Sequence, residues 1–117
     1  MHIEGIVIKG NNQAQKIGFP TANIKIDQKI EPGVYKGVTR FDGKTFLSAI
    51  YIGNYRPDIL ETHLIDISET DLYGKNIEIE IQEKIRGDLA GLTNEELKVQ
   101  IASDVKEIIK LSKQKNV

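Results

Sequence analysis

Asp42-Gly43, flanked on both sides by residues that alternate in polarity, is the feature that most limits what this chain can become. An Asp-Gly pair between two alternating runs is the strongest short-range signal for a tight β-hairpin. Before it, Val34 and Val38 fall on one side of an extended chain, with Tyr35, Thr39 and Phe41 on the other. After it, Lys44 to Ile52 returns as the partner strand.

The rest of the first 86 residues reads in the same way. His2 to Lys9 holds the run Ile6-Val7-Ile8, which predicts a strand buried on both faces at its centre. Gly10 to Lys16 is polar and reads as a mobile loop. Ala22 to Ile26 makes a second short strand, and Asp27 to Glu31 leads to the turn pair Pro32-Gly33. Leu60 to Ile67 predicts another strand. Asn76 to Ile81 alternates cleanly, with Ile77, Ile79 and Ile81 inward and Glu78 and Glu80 in water. Between these two, Ser68 to Gly74 is a polar loop anchored by Leu72 and Tyr73. Six short strands joined by turns predict a small antiparallel barrel rather than an α/β sheet.

The tail changes period. Thr93 and Glu96 have the spacing of a capping box, and Leu97, Ile101, Val105 and Ile108 recur at helical intervals. Lys106, Lys110, Lys113 and Lys115 crowd the last turns, where the helix dipole favours positive charge. One amphipathic helix, about residues 94–113, is expected to close one flank of a barrel over about residues 2–86. The 117 residues read as one domain.

Composition removes several classes of function. Hydrophobic residues make up 39% and charged residues 28%, the balance of an ordinary globular domain. A net charge of −1 gives no footprint for a nucleic-acid backbone. Without cysteine there is no disulfide, thiolate metal site or cysteine nucleophile. No apolar run approaches the length needed to cross a bilayer, and no signal-like N-terminus precedes the first strand. The expectation is a cytoplasmic protein with no membrane partner.

The stretch with most chemical content is Gly18-Phe19-Pro20-Thr21-Ala22-Asn23. Pro20 fixes its own φ and pushes Phe19 to an extended conformation. In an extended segment Thr21 and Asn23 project from one face, with Ala22 opposed. A hydroxyl and an amide oxygen side by side suit a hard cation, and the amide N–H can reach a phosphate oxygen. The same residues also suit a turn followed by a strand, with Thr and Asn bonded to nearby backbone.

That hexapeptide is followed by Pro32-Gly33-Val34-Tyr35, Ile52-Gly53, Arg56-Pro57, Glu61-Thr62-His63-Leu64, Asp71-Leu72-Tyr73-Gly74 and Ile85-Arg86. In this order the motifs resemble the riboflavin kinase family, from about Gly5 to Asp104. The resemblance implies a six-stranded Greek-key barrel with a C-terminal helix. It also implies transfer of the ATP γ-phosphate to the ribityl 5′-hydroxyl of riboflavin, giving FMN and ADP. Thr21 and Asn23 match the family's pair that holds the metal, Mg2+ or another divalent ion. With Gly10, Lys16, Gly18 and Pro20 they make up the expected ATP side. Glu61 matches the family's catalytic glutamate, and its apolar neighbours Leu60, Leu64 and Ile65 are the kind that raise a carboxyl pKa. Arg86 and Leu92 are expected on the flavin side. A lone histidine such as His63 is more often structural than catalytic, and it is not taken as the base.

The chain departs from the family in three places. Ala14-Gln15 stands where the flap over the phosphates usually has Gly-Arg, and Gly91 stands in place of an aromatic residue five positions after Arg86. Around residues 51–60 the family's Asn-Ile-Gly and Arg-Pro-Thr become Tyr51-Ile-Gly and Arg-Pro-Asp58, with an extra residue near Asn54-Tyr55 and a short run to Glu61. Bacterial members usually carry an FMN adenylyltransferase half before the kinase. Its absence predicts a stand-alone kinase, a degenerate copy or an excised domain. The reading is a monomeric riboflavin kinase domain acting on riboflavin and ATP. Its rivals are a barrel that binds flavin or nucleotide without catalysis and a small nucleic-acid-binding barrel. Near-neutral charge and few aromatic residues argue against the last.

Overall fold

The computed structural model describes residues 1–9, 21–54, 56–67, 71–88 and 91–114. Six strands are followed by one helix: β1 His2–Ile6, β2 Thr21–Lys25, β3 Gly33–Phe41, β4 Lys44–Ile52, β5 Ile59–Leu64, β6 Asn76–Arg86 and α1 Asn94–Gln114. All pairings are antiparallel, in the order β1-β6-β3-β4-β5-β2. Because β6 returns beside β3 after the β3-β4-β5 meander, these four strands form a Greek key. An isolated bridge between Ile8 and Asn23 links the outermost strands, so the sheet is a nearly closed barrel.

The hairpin at Asp42-Gly43 forms as its residues dictate. Both have positive φ, 52° and 74°, and the register runs unbroken from Phe41↔Lys44 to Gly33↔Ile52. A second constraint lies at Gly37. A Cβ there would sit 2.2 Å from the Glu80 carbonyl oxygen and 2.5 Å from Ile50 Cδ1, beside an irregularity in the β3-β6 ladder. Only glycine allows that approach.

Alternate residues of all six strands fill the barrel. Ile3, Ala22, Ile24, Tyr35, Ile50, Ile52, Leu60, Leu64, Ile77 and Ile79 form one cluster, with Val7 and Leu72 beside them. Within it Ser48 donates to Thr39 at 2.9 Å, and the Thr39 and Thr62 hydroxyls lie 2.8 Å apart. A second cluster lies outside the sheet, where Ile101, Val105 and Ile108 of α1 cover Ala49 and Ile65. The helix starts with a reciprocal capping box: Glu96 N–H donates to Thr93 Oγ1 at 3.2 Å, and Thr93 N–H to Glu96 Oε1 at 3.1 Å.

Three expectations need correction. The first strand is not buried on both faces, since Val7 is buried but Ile6 is 61% exposed. Lying at the end of the strand order, β1 has one face on the core and the other in water. The fifth strand stops at Leu64 rather than Ile67, because Asp66 adopts a positive φ of 62° and turns the chain. Of the two proposed anchors of the 68–74 loop, Leu72 is buried and Tyr73 is exposed.

Candidate active site

Directly paired residues of neighbouring strands point to the same side of a sheet, so the register decides which side chains meet. On the barrel's outer face Asn23 of β2 pairs with Glu61 of β5, and Glu61 pairs on its other side with Tyr51 of β4. Two residues along, Thr21 pairs with His63, and His63 with Ala49. Two rows therefore cross three strands: Asn23, Glu61, Tyr51 and Thr21, His63, Ala49. Helix α1 covers the second row at Ala49. The β2 end is less enclosed, with Thr21 and Asn23 half-buried.

Glu61 retains 22% exposure of its side chain, and burial pushes its carboxyl from an ordinary value of 4.5 up to about 7. His63 is buried, and desolvation lowers its imidazole from 6.5 to about 4. At neutral pH the ring is uncharged. Its Nε2, 3.9 Å from Glu61 Oε1, therefore makes a dipolar contact rather than an ion pair. On the other side Nδ1 lies 3.3 Å from Thr21 Oγ1.

Among the described residues no group of three or more His, Cys, Asp or Glu side chains is placed to hold a metal. Thr21 and Asn23 instead offer neutral, hard oxygen donors on one strand face. That set fits Mg2+, which keeps several waters and takes much of its coordination from substrate phosphates.

Arg86 pairs with Val34 of β3, and Val34 with Tyr51, so the first row continues across the sheet to the end of β6. The arginine faces α1, where Nε donates to Asp104 Oδ1 at 2.6 Å. Asp104 is 1% exposed and also accepts from Gln100 at 3.1 Å, but its Oδ2 has no hydrogen-bond partner among the described residues. At least one donor of Arg86 thus serves the helix–barrel junction. Leu92 is partly exposed on the approach to α1. Gly10, Lys16, Gly18 and Pro20, and the Ala14-Gln15 pair, lie outside the described residues.

Sequence reasoning passed over one tie at this end of the barrel. Tyr51 donates to Asp88 Oδ1 at 3.0 Å, and the Asn54 N–H to Asp88 Oδ2 at 3.4 Å. Asp88 so joins the shortened β4-β5 connection to the segment after β6. The only prior signal was the unusual tyrosine at position 51. The connection is ordered further by Ile59 N–H bonding to Arg56 O at 3.0 Å and Ile26 N–H to Asp58 O at 2.8 Å.

Paired oxygen donors beside a carboxyl that titrates near neutrality form a site suited to passing a phosphoryl group to a hydroxyl, with the carboxylate taking the proton. The family model for riboflavin kinase (flavokinase) matches residues 1–112, and the chain belongs to that family. The bifunctional riboflavin kinase/FMN adenylyltransferase of Haemophilus influenzae is 38% identical over 111 residues, covering 88% of this chain and 36% of that protein. Its Escherichia coli K12 counterpart is 36% identical over 110 residues, covering 87% and 35%. The chain thus spans about a third of the length of these relatives. In fold it is similar to the riboflavin kinase of Trypanosoma brucei, with a TM-score of 0.67 at 22% identity, over 94% of this chain and 78% of that one. A Streptococcus pneumoniae structure described as a macrolide-efflux protein gives 0.73, also at 22% identity, over 90% of this chain and 35% of the other.

Proposed function

We propose that this domain phosphorylates riboflavin at its ribityl 5′-hydroxyl with ATP, giving FMN and ADP. The observation that carries the reading is the pairing of Asn23 with Glu61, which brings an amide and a carboxyl side by side in a chain of this family; on this reading the first serves the phosphates and the second is the base. Thr21 and Asn23 hold the metal–phosphate end. When bound there, Mg2+ supplies positive charge to the triphosphate. Glu61 orients the ribityl hydroxyl and takes its proton as the new O–P bond forms and the bond from the γ-phosphorus to the bridging oxygen breaks. The flavin ring lies towards Tyr51, Arg86 and Leu92.

Burial is what makes Glu61 a useful base, because a carboxyl that titrates near 7 is matched to proton transfer at neutral pH. We read the working form as a cytoplasmic monomer with no nucleic-acid or membrane partner. The net charge of −1 supports the former exclusion, and among the described residues no helix is long and apolar enough to cross a membrane.

The test is incubation with riboflavin, ATP and Mg2+, followed by chromatography of the flavins. FMN formation is expected. Glu61→Gln should lower turnover roughly 10²–10⁴-fold with little change in riboflavin affinity. Riboflavin binding without FMN would favour the non-catalytic reading. Near wild-type turnover in a folded Glu61→Gln protein would remove Glu61 as the base.

A further inference from the structure

Nothing in the preceding scheme uses His63, yet both of its ring nitrogens face site residues. Nδ1 is 3.3 Å from Thr21 Oγ1, and Nε2 is 3.9 Å from Glu61 Oε1. The placement follows from the register, since Thr21 is the cross-strand partner of His63 and Glu61 precedes it by two on the same face. A neutral imidazole has one N–H and one acceptor nitrogen, and its neighbours select which is which. A threonine hydroxyl that turns its lone pairs to a cation or phosphate must send its hydrogen elsewhere. His63 Nδ1 is an acceptor within reach. The ring proton then sits on Nε2, facing the carboxyl of Glu61.

We propose that His63 is a positioning residue that couples the phosphate side of the site to its base. Nδ1 accepts the Thr21 hydroxyl hydrogen and so turns that oxygen's lone pairs towards the metal–phosphate end, while Nε2–H steers the Glu61 carboxylate. The separation of 3.9 Å exceeds a hydrogen bond, but catalytic hydrogen bonds commonly tighten only when substrate is bound. The roles of Thr21 and Glu61, and the tautomer argued from them, rest on the kinase reading, whereas the two ring contacts do not.

Three measurements test this. The first is the ring ¹⁵N spectrum of His63 in the wild-type protein, assigned by comparison with His2→Gln. It should show Nε2 protonated and Nδ1 bare. The other two use variants that each keep half of the ring's function. In His63→Asn the amide stands near the place of Nδ1 and can still accept from Thr21. In His63→Gln it reaches towards Nε2 and can still donate to Glu61.

His63→Gln is expected to weaken Mg2+-dependent ADP binding, read by calorimetry without turnover, by about 10-fold, with turnover at saturation near wild type. His63→Asn should do the reverse, with ADP binding retained and turnover down about 10-fold. A spectrum with Nδ1 protonated overturns the proposal. So does a parallel loss of binding and turnover in both variants that follows their melting temperatures, as a purely structural histidine would give. Should neither variant fold, the wild-type spectrum decides. Failure of the kinase reading looks different: wild type would make no FMN, while the spectrum and the ADP titration would still report on His63.

Discussion

Glu61→Gln should stabilise the protein at the pH where it disables it. In the folded state the carboxyl keeps its proton up to about 7, whereas the unfolded chain releases it near 4.5. Below 4.5 both states are protonated and Glu61 has no effect on stability. As pH rises from 4.5 to 7 only the unfolded state ionises, so stability is lost across that window, and above 7 the loss is complete. A difference of 2.5 between those two values, at 1.36 kcal/mol per unit, gives about 3 kcal/mol. Residual exposure of the side chain reduces this to about 2–3 kcal/mol. Gln resembles the protonated acid and escapes the penalty. In a domain of this size the gain is roughly 10 °C in melting temperature.

Far-UV circular dichroism, followed on heating from pH 4.5 to 8.5 in chelator without nucleotide, reads the difference between variant and wild type. The two should melt together at pH 4.5, separate up to about pH 7, and stay apart above it. His63 acts in the opposite sense. Burial keeps it neutral down to about 4, so it withdraws stability as pH falls from 6.5, but it does so in both proteins and cancels. A gain that is the same at every pH would refute the argument, as would a Gln variant less stable than wild type at pH 8.

Asn23→Ala should weaken Mg2+-dependent ATP binding while leaving the melting temperature near wild type, and unchanged affinity by calorimetry would reduce Thr21 and Asn23 to a strand start. Replacing Ala14 by Gly and Gln15 by Arg should lower the KM for ATP, because arginine offers a planar fork of donors to phosphate; an unchanged KM in steady-state assays would show that this loop does not close on the nucleotide. Arg86→Ala strands the buried carboxylate of Asp104 and should cost about 3 kcal/mol in denaturant unfolding, with much of it recovered by adding Asp104→Leu. Riboflavin binding lost with an unchanged midpoint would leave the arginine its role on the flavin side and refute the structural one.

How much of this was legible follows from which interactions are local. Asp42-Gly43, the alternation of Ile77 and Ile79, and the Thr93/Glu96 cap are set within a few residues, and the structure has each of them as read. The division of β3 into two faces, Val34 and Val38 against Tyr35, Thr39 and Phe41, was legible for the same reason. Ile6-Val7-Ile8 misled because an apolar run does not say whether a strand will be central or last in the sheet. Within the site, Thr21 and Asn23 could be placed on one face by counting along β2. That Glu61 lies opposite Asn23, and His63 opposite Thr21, depends on a pairing between strands nearly 40 residues apart. No pattern within either strand states it. The Tyr51–Asp88 and Arg86–Asp104 ties are likewise long-range, and each became visible only once β6 was placed beside β3.

The same alternation that buries the core is what assembles the site. On β2 and β5 the even-numbered residues Ala22, Ile24, Leu60, Thr62 and Leu64 point inward and hold the barrel, while Thr21, Asn23, Glu61 and His63 point outward. A slip of one residue in the β2-β5 pairing would expose the first set and scatter the second, so selection for a packed core also maintains the register of the site. Side chains of the outer set carry little of the interior packing and can be chosen for chemistry. Glu61 is held partly buried although ionising it opposes folding, and the closed interior supplies the stability that tolerates this. Substitutions at the inward positions should therefore reduce stability and activity together, whereas those at Asn23 and Glu61 should separate the two.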